Sequence, residues 1–149
     1  MVFINQPVDR LFMGITDMAL NVFWRVCMVV GTGIDVIEVE RIKRAANQNA
    51  FLERIFTPNE RQYYQNCGAD AQTLSGMFAA KEATAKALAA GFNGIGWRDI
   101  EILHDDLGKP YVQLWNSAKA RMESMGGRAI HISISHIKTL AIAQAILEE

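Results

Sequence analysis

The chain has 149 residues, 50% of them apolar and 21% charged, the composition of one compact globular domain. Its 15 Lys and Arg against 16 Asp and Glu leave a net charge of −1, which argues against a nucleic-acid coat or a polybasic membrane binder while leaving room for a local basic face. Cys27 and Cys67 stand far apart with no CxxC spacing, so four-sulfur zinc sites and disulfide-dense secreted scaffolds are excluded; both read as reduced thiols of a cytosolic protein.

Positions 1–27 carry only Asp9, Arg10, Asp17 and Arg25 as charges. Leu11, Phe12, Ile15, Leu20, Phe23 and Trp24 recur at intervals that suit an amphipathic helix from about Asp9 onward. No apolar run approaches the roughly 20 residues of a membrane span. A secretory signal fits poorly, since the basic start is missing and Asp9 and Asp17 interrupt any apolar core. Three readings remain: a docking helix, an interfacial membrane helix, or residues upstream of a true start at Met28. The last is favoured, because Met28 opens directly into a strand.

Val29 to Val36 is β-rich with glycines at 31 and 33, and reads as a buried strand. Glu38 to Asn47 follows as a charged helix with Val39, Ile42 and Ala46 at helical spacing. Thr57-Pro58-Asn59-Glu60 is a helix start: Thr supplies the N-cap oxygen, Pro fits the first helical position, and Glu closes a capping box. A long helix is predicted over Ala71 to Ala90, broken by Gly91 to Gly96. Asp99 to His104 and Tyr111 to Leu114 flank a turn at Asp106 to Pro110 and predict a hairpin. Asn116 to Met125 reads as a helix ending at Gly126-Gly127, Ala129 to Ser135 as an alternating strand, and Thr139 to Leu147 as the closing strand. Strands and helices do not alternate strictly. The fold class is therefore α+β, a mainly antiparallel sheet packed against one long helix and shorter ones, with no internal repeat.

A carboxylate inside an apolar strand is costly unless paired or bound to a cation, which makes Asp35 a candidate ligand; the plain alternative is an Asp at the strand end capping the next helix. Glu82 and Lys86 lie at i and i+4 on one helical face, which alone would be a surface ion pair worth about 0.3–0.5 kcal/mol. The alanines around them leave these as the only long groups on that face. A carboxylate for Mg²⁺ beside a lysine for phosphate is the sharper reading. In His131-Ile132-Ser133-Ile134-Ser135-His136, His131, Ser133 and Ser135 share one face and Ile132 and Ile134 the other. No nucleophile-elbow motif surrounds either serine, so a solvated strand face is the simpler account. His104 sits beside the hairpin turn and carries no special signal. Gly31-Thr32-Gly33 and Gly94-Ile95-Gly96 are not dinucleotide fingerprints. Arg41, Lys43 and Arg44, partly offset by Glu38 and Glu40, form either a solvated face or a docking site for an acidic partner.

In this order, the pieces resemble the holo-[acyl-carrier-protein] synthases, the small phosphopantetheinyl transferases. The resemblance rests on Gly33-Ile34-Asp35-Val36-Ile37-Glu38 with Arg41-Ile42, then Phe51, Arg54-Ile55-Phe56-Thr57 and Glu60. It continues through Phe78-Ala79-Ala80-Lys81-Glu82-Ala83 with Lys86-Ala87, Asp99-Ile100-Glu101-Ile102, Gly108-Lys109-Pro110 and His131 to His136. It divides the chain into an appendage over residues 1–28 and a transferase domain over 29–149.

The resemblance implies transfer of 4′-phosphopantetheine from coenzyme A to a serine of apo acyl carrier protein, releasing adenosine 3′,5′-bisphosphate, in support of fatty acid biosynthesis. It implies Asp35 and Glu82 as Mg²⁺ ligands and Lys86 as a contact to the pyrophosphate, these three forming the catalytic set. The serine proton would go to a carboxylate or to a water at the ion. His136 would line the coenzyme A cleft, with Lys81, Arg54 and Gly91 assisting, and Arg41 and Arg44 would dock the acidic carrier. A cytoplasmic homotrimer with sites between subunits is also implied, with neither nucleic acid nor stable membrane association. Two departures stand out: Met77 occupies the place of a common arginine, and Ala89-Ala90-Gly91 replaces the commoner Gly-Thr-Gly. Two rivals remain: a Mg²⁺-dependent nucleotide pyrophosphate hydrolase using the same carboxylates, and a non-catalytic coenzyme A or carrier-binding module.

Overall fold

A computed structural model describes residues 28–92 and 94–149. The readings made for positions 1–27 lie outside the described residues. The chain runs β1 (Val29–Glu38), α1 (Val39–Ala46), α2 (Asn49–Ile55), α3 (Pro58–Asn66), α4 (Ala71–Ala87), a 3-10 turn (Trp97–Asp99), β2 (Ile100–His104), β3 (Pro110–Leu114), α5 (Asn116–Ser124), β4 (Ala129–His136) and β5 (Leu140–Glu148). The three-stranded sheet has the order β1-β5-β4 and is antiparallel throughout, while β2 and β3 form a separate antiparallel ribbon. The expected α+β class holds.

Helix α4 is the axis of the domain. Leu74, Met77, Ala79, Ala80, Ala83, Thr84, Ala85 and Ala87 are all buried, around most of its circumference, so it is enclosed rather than laid on a surface. Its small side chains let the sheet approach closely. A Cβ at Gly31 would stand 2.1 Å from the Ala87 carbonyl oxygen, and one at Gly33 would stand 2.0 Å from that of Ala83. The two glycines, which failed as a dinucleotide fingerprint, therefore bring β1 into backbone contact with α4.

Three local expectations need correction. β1 is not buried on both faces: it packs one face on α4 and leaves Ile34 59% and Val36 52% exposed on the other. α2 was not foreseen, because it has 7 residues and its N-cap Gln48 makes no side-chain cap bond. α4 stops at Ala87, short of Ala90, because the chain turns left-handed at Ala89. The Thr57 capping box forms as expected: the Glu60 N–H donates to Thr57 Oγ1 at 3.3 Å, and the Thr57 N–H to Glu60 Oε2 at 2.7 Å.

Candidate active site

The β1–α4 contact assembles the first cluster. Asp35 lies within β1 opposite Ala143, three positions before the strand ends, and it is Glu38 that occupies the α1 N-cap; the helix-capping alternative is therefore excluded. Lys86 Nζ donates to Asp35 Oδ1 at 2.8 Å and to the Ile34 carbonyl at 2.8 Å. The Asp35 side chain is 13% exposed, and its Oδ2 is buried without a hydrogen-bond partner. Glu82 stands one turn before Lys86 on α4. Burial, and then the charge of Asp35, push the Glu82 carboxyl above the ordinary range, with Lys86 and Arg41 partly opposing.

An orphaned carboxylate oxygen beside a second carboxylate that burial and repulsion make reluctant to ionise is an arrangement a cation would relieve. Among the described residues no group of three or more His, Cys, Asp or Glu side chains is placed to hold a metal. A cation here would thus have the two carboxylates and further positions open to water or phosphate, which suits Mg²⁺ better than a structural zinc.

The other predicted residues fall in different places. Arg41 and Arg44 are exposed on α1; the Arg41 charge reaches Glu82, while Arg44 Nε donates to the Glu40 carbonyl at 3.3 Å. Arg54 is exposed near the end of α2 and makes no ion pair among the described residues. Gly91 is exposed, with open space where a Cβ would stand. His136 ends β4 and lines a separate cavity of about 190 Å³ with Tyr63, Thr73, His104, Pro110 and Ile134. It does not join Asp35, Glu82 and Lys86: β5 lies between their strands, about 9.5 Å across two strand spacings. His131 pairs with Glu148 at 3.1 Å rather than with a serine, and Ser133 and Ser135 lie exposed, as the solvated-face reading expected.

Lys81 requires a correction. Its side chain is 0% exposed and cannot meet a substrate phosphate. The ammonium contacts Glu60 Oε2 at 2.9 Å and donates to the carbonyls of Trp97 (3.0 Å) and Ile100. Glu60, equally buried, also accepts from the Thr57 and Ile102 N–H groups. Burial pushes the Glu60 carboxyl up and the Lys81 ammonium down, and their mutual attraction opposes both shifts. The capping-box glutamate of α3 is thus also the partner of the α4 lysine. Met77 is 1% exposed and contributes to the core rather than to a docking surface.

A curated holo-[acyl-carrier-protein] synthase from Alkaliphilus oremlandii is 52% identical over 120 residues, covering 80% of this chain and 98% of that one. A synthase of the same name from Clostridium botulinum (strain Eklund 17B / Type B) is 48% identical over 122 residues, covering 81% and 98%. Among solved structures, the Neisseria meningitidis holo-[acyl-carrier-protein] synthase superposes with TM-score 0.75 at 34% identity, covering 82% of this chain and 100% of that one. A Bacillus anthracis holo-(acyl-carrier-protein) synthase in complex with CoA (3′,5′-ADP) gives TM-score 0.68 at 38% identity, covering 82% and 98%. The family profile described as the 4′-phosphopantetheinyl transferase superfamily matches residues 31–143. That match runs through β1 and α4, the two elements that build the carboxylate–lysine cluster, and the chain belongs to this superfamily.

Proposed function

We propose that this protein transfers 4′-phosphopantetheine from coenzyme A to a serine of apo acyl carrier protein, giving holo carrier protein and adenosine 3′,5′-bisphosphate. The observation that carries the reading is the partnerless Asp35 Oδ2 beside Glu82 and Lys86, within a chain of this superfamily. Asp35 and Glu82 would hold Mg²⁺, which supplies neutralisation of the pyrophosphate charge. Lys86 is half exposed and swings from Asp35 to the phosphate oxygens, adding a point charge where negative charge builds up. The proton of the attacking serine would go to a carboxylate of the site or to a water at the ion.

Arg41 and Arg44 would meet the acidic carrier, in a salt-sensitive way, and Arg54 would assist with the phosphate charge. The outer sheet face bares Ile34, Val36 and, at 40%, Ile142, an apolar surface suited to self-association as the homotrimer. No helix among the described residues is long and apolar enough to cross a membrane, and a cytoplasmic location accords with coenzyme A and carrier protein as substrates.

The test is incubation with apo carrier protein, coenzyme A and Mg²⁺. A carrier mass gain of one phosphopantetheine supports transfer. Nucleotide release without that gain, or binding without turnover, would replace the reading with hydrolysis or a binding module.

A further inference from the structure

The proposed chemistry makes no use of the buried pair Glu60 and Lys81, yet Lys81 directly precedes Glu82 in α4. Its side chain leaves the helix about 100° around the axis from that carboxylate. Between Phe78 and Leu88 the buried side chains of α4 are alanines, Thr84 and Lys81. Such small side chains let β1 come close, but they raise no ridge that could seat in a groove and fix how far the helix is turned. The contacts at Gly31 and Gly33 set the distance between strand and helix. The long side chain of Lys81 is left to set the angle.

The partners of its ammonium are themselves held. They lie on three elements: Glu60 of α3, the Trp97 carbonyl of the 3-10 turn and the Ile100 carbonyl at the start of β2. Glu60 is pinned in turn by the N–H groups of Thr57 at 2.7 Å and Ile102 at 2.8 Å. Beside it on β2, Glu101 accepts from Thr57 Oγ1 at 2.6 Å, Asn59 Nδ2 at 3.1 Å and Trp115 Nε1 at 2.9 Å. That second carboxylate binds the start of α3 to β2 and to the residue after β3. The three donors of an ammonium match the three acceptors, and a side chain 0% exposed has no water to turn to.

We infer that Lys81 is a positioning residue for Glu82: its anchored ammonium fixes the rotation of α4 and so holds the Glu82 carboxylate beside Asp35. This rests on the proposed role of Glu82 as a ligand of the divalent cation. Helix geometry makes the site sensitive to that angle. A carboxylate stands about 5–6 Å from the helix axis, so a turn of about 10° carries it about 1 Å. A misplacement of about that size can cost about a hundredfold in a catalytic step.

The test removes the anchor without changing net charge. Lys81→Met with Glu60→Leu takes out one positive and one negative charge together and fills the space with apolar groups. Lys81→Gln with Glu60→Gln also removes both charges but keeps amide donors for the carbonyls. Met122→Ala, at a partly buried core position of α5, is the control for stability loss alone. Urea unfolding ranks the variants, electron spin resonance of free Mn²⁺ gives the affinity for that probe ion, and kcat and the carrier KM are measured with coenzyme A and Mg²⁺. The apolar pair should bind Mn²⁺ about tenfold or more weakly and lose kcat by at least that factor, with the carrier KM unchanged. The amide pair, one bond shorter at position 81 and with two donors in place of three, should weaken Mn²⁺ about threefold. Met122→Ala should bind Mn²⁺ as wild type does. Unchanged Mn²⁺ affinity in the apolar pair, or in the amide pair should the apolar one not fold, overturns the role of Lys81, and so does equal weakening in Met122→Ala. Failure of the wild type to bind Mn²⁺ overturns the metal assignment and this role with it. Absence of transfer by a wild type that does bind Mn²⁺ overturns the proposed function, and the Mn²⁺ comparison still decides the role of Lys81.

Discussion

Helices α3, α4 and α5 end in one hydrogen-bond pattern, yet in α4 the first left-handed residue of the closure is an alanine where α3 and α5 have a glycine. After α3, Gly68 (φ +73) donates to the Gln65 carbonyl and Ala69 to that of Tyr64, both at 3.0 Å. After α5, Gly126 (φ +76) and Gly127 donate to Glu123 and Met122, both at 3.0 Å. After α4, Ala89 donates to Lys86 at 2.9 Å and Ala90 to Ala85 at 3.1 Å, with Ala89 at φ +47. This is the Schellman closure, whose left-handed residue is ordinarily glycine. A left-handed backbone costs an L-residue roughly 1–2 kcal/mol. Glycine in its place returns about 0.4–1 kcal/mol of that to the freer unfolded chain. Ala89 is exposed, so its methyl buries nothing. Ala89→Gly should therefore stabilise the protein by roughly 0.5–1 kcal/mol, and Ala89→Val should destabilise it. Urea unfolding at one fixed protomer concentration measures both, because the proposed self-association would make the midpoint depend on concentration. A lower midpoint for Ala89→Gly at unchanged slope would refute the assignment of strain to this residue.

Asp35→Ala and Glu82→Gln should each abolish carrier modification, and near-wild-type rates in both would remove the metal assignment. The Glu82 carboxyl is raised in the folded state, so the stability it confers is present at low pH and lost as pH rises through its folded pKa. At pH 7 without divalent cation, Glu82→Gln should accordingly melt above wild type, while added Mg²⁺ should raise the melting temperature of wild type only. By the same sign, Mg²⁺ stabilisation of wild type should fade on acidification before pH reaches the ordinary glutamate value of 4.5. Gly33→Ala would set a Cβ 2.7 Å from the Ala87 nitrogen and 2.9 Å from the Lys86 Cβ, besides the clash with the Ala83 carbonyl. It should cost about 3 kcal/mol or more in urea unfolding, as β1 is forced off α4. Lys81→Met should cost about 3–5 kcal/mol by stranding Glu60 in the core, and the double variant Lys81→Met with Glu60→Leu should recover much of that loss.

What was legible in the sequence was what is local or carried by a run of residues. The Thr57 capping box closes within four positions, and it formed. Glu82 and Lys86 share a turn of one helix, and the resemblance added Asp35 from β1 to them. The buried Glu60–Lys81 pair was illegible, because it joins α3 to α4 across a tertiary contact and each residue alone reads as a surface charge. The stack of His104 on Tyr63 gave no sign for the same reason, since Tyr63 lies on another element. The outer face of β1 was misjudged because an apolar strand with one open face and a strand enclosed on both have the same spelling over eight residues.

The glycines at 31 and 33 explain why so short a side chain as aspartate can serve in this site. With any side chain at either position, β1 would stand farther from α4, since a Cβ there would lie about 2 Å from a helix carbonyl. At that greater distance Asp35 would neither reach Lys86 nor impose its charge on Glu82. Backbone contact brings two carboxylates together where Asp35 Oδ2 finds no donor; Lys86 contacts Asp35, and the charges of Lys86 and Arg41 only partly offset Glu82. The lysine is half exposed and free to leave, so the fold holds a negative charge that it does not fully neutralise. On the proposed function, a cation and a pyrophosphate would complete what the strand–helix contact leaves unbalanced. The same close packing that stabilises the core therefore sets the electrostatic demand of the site.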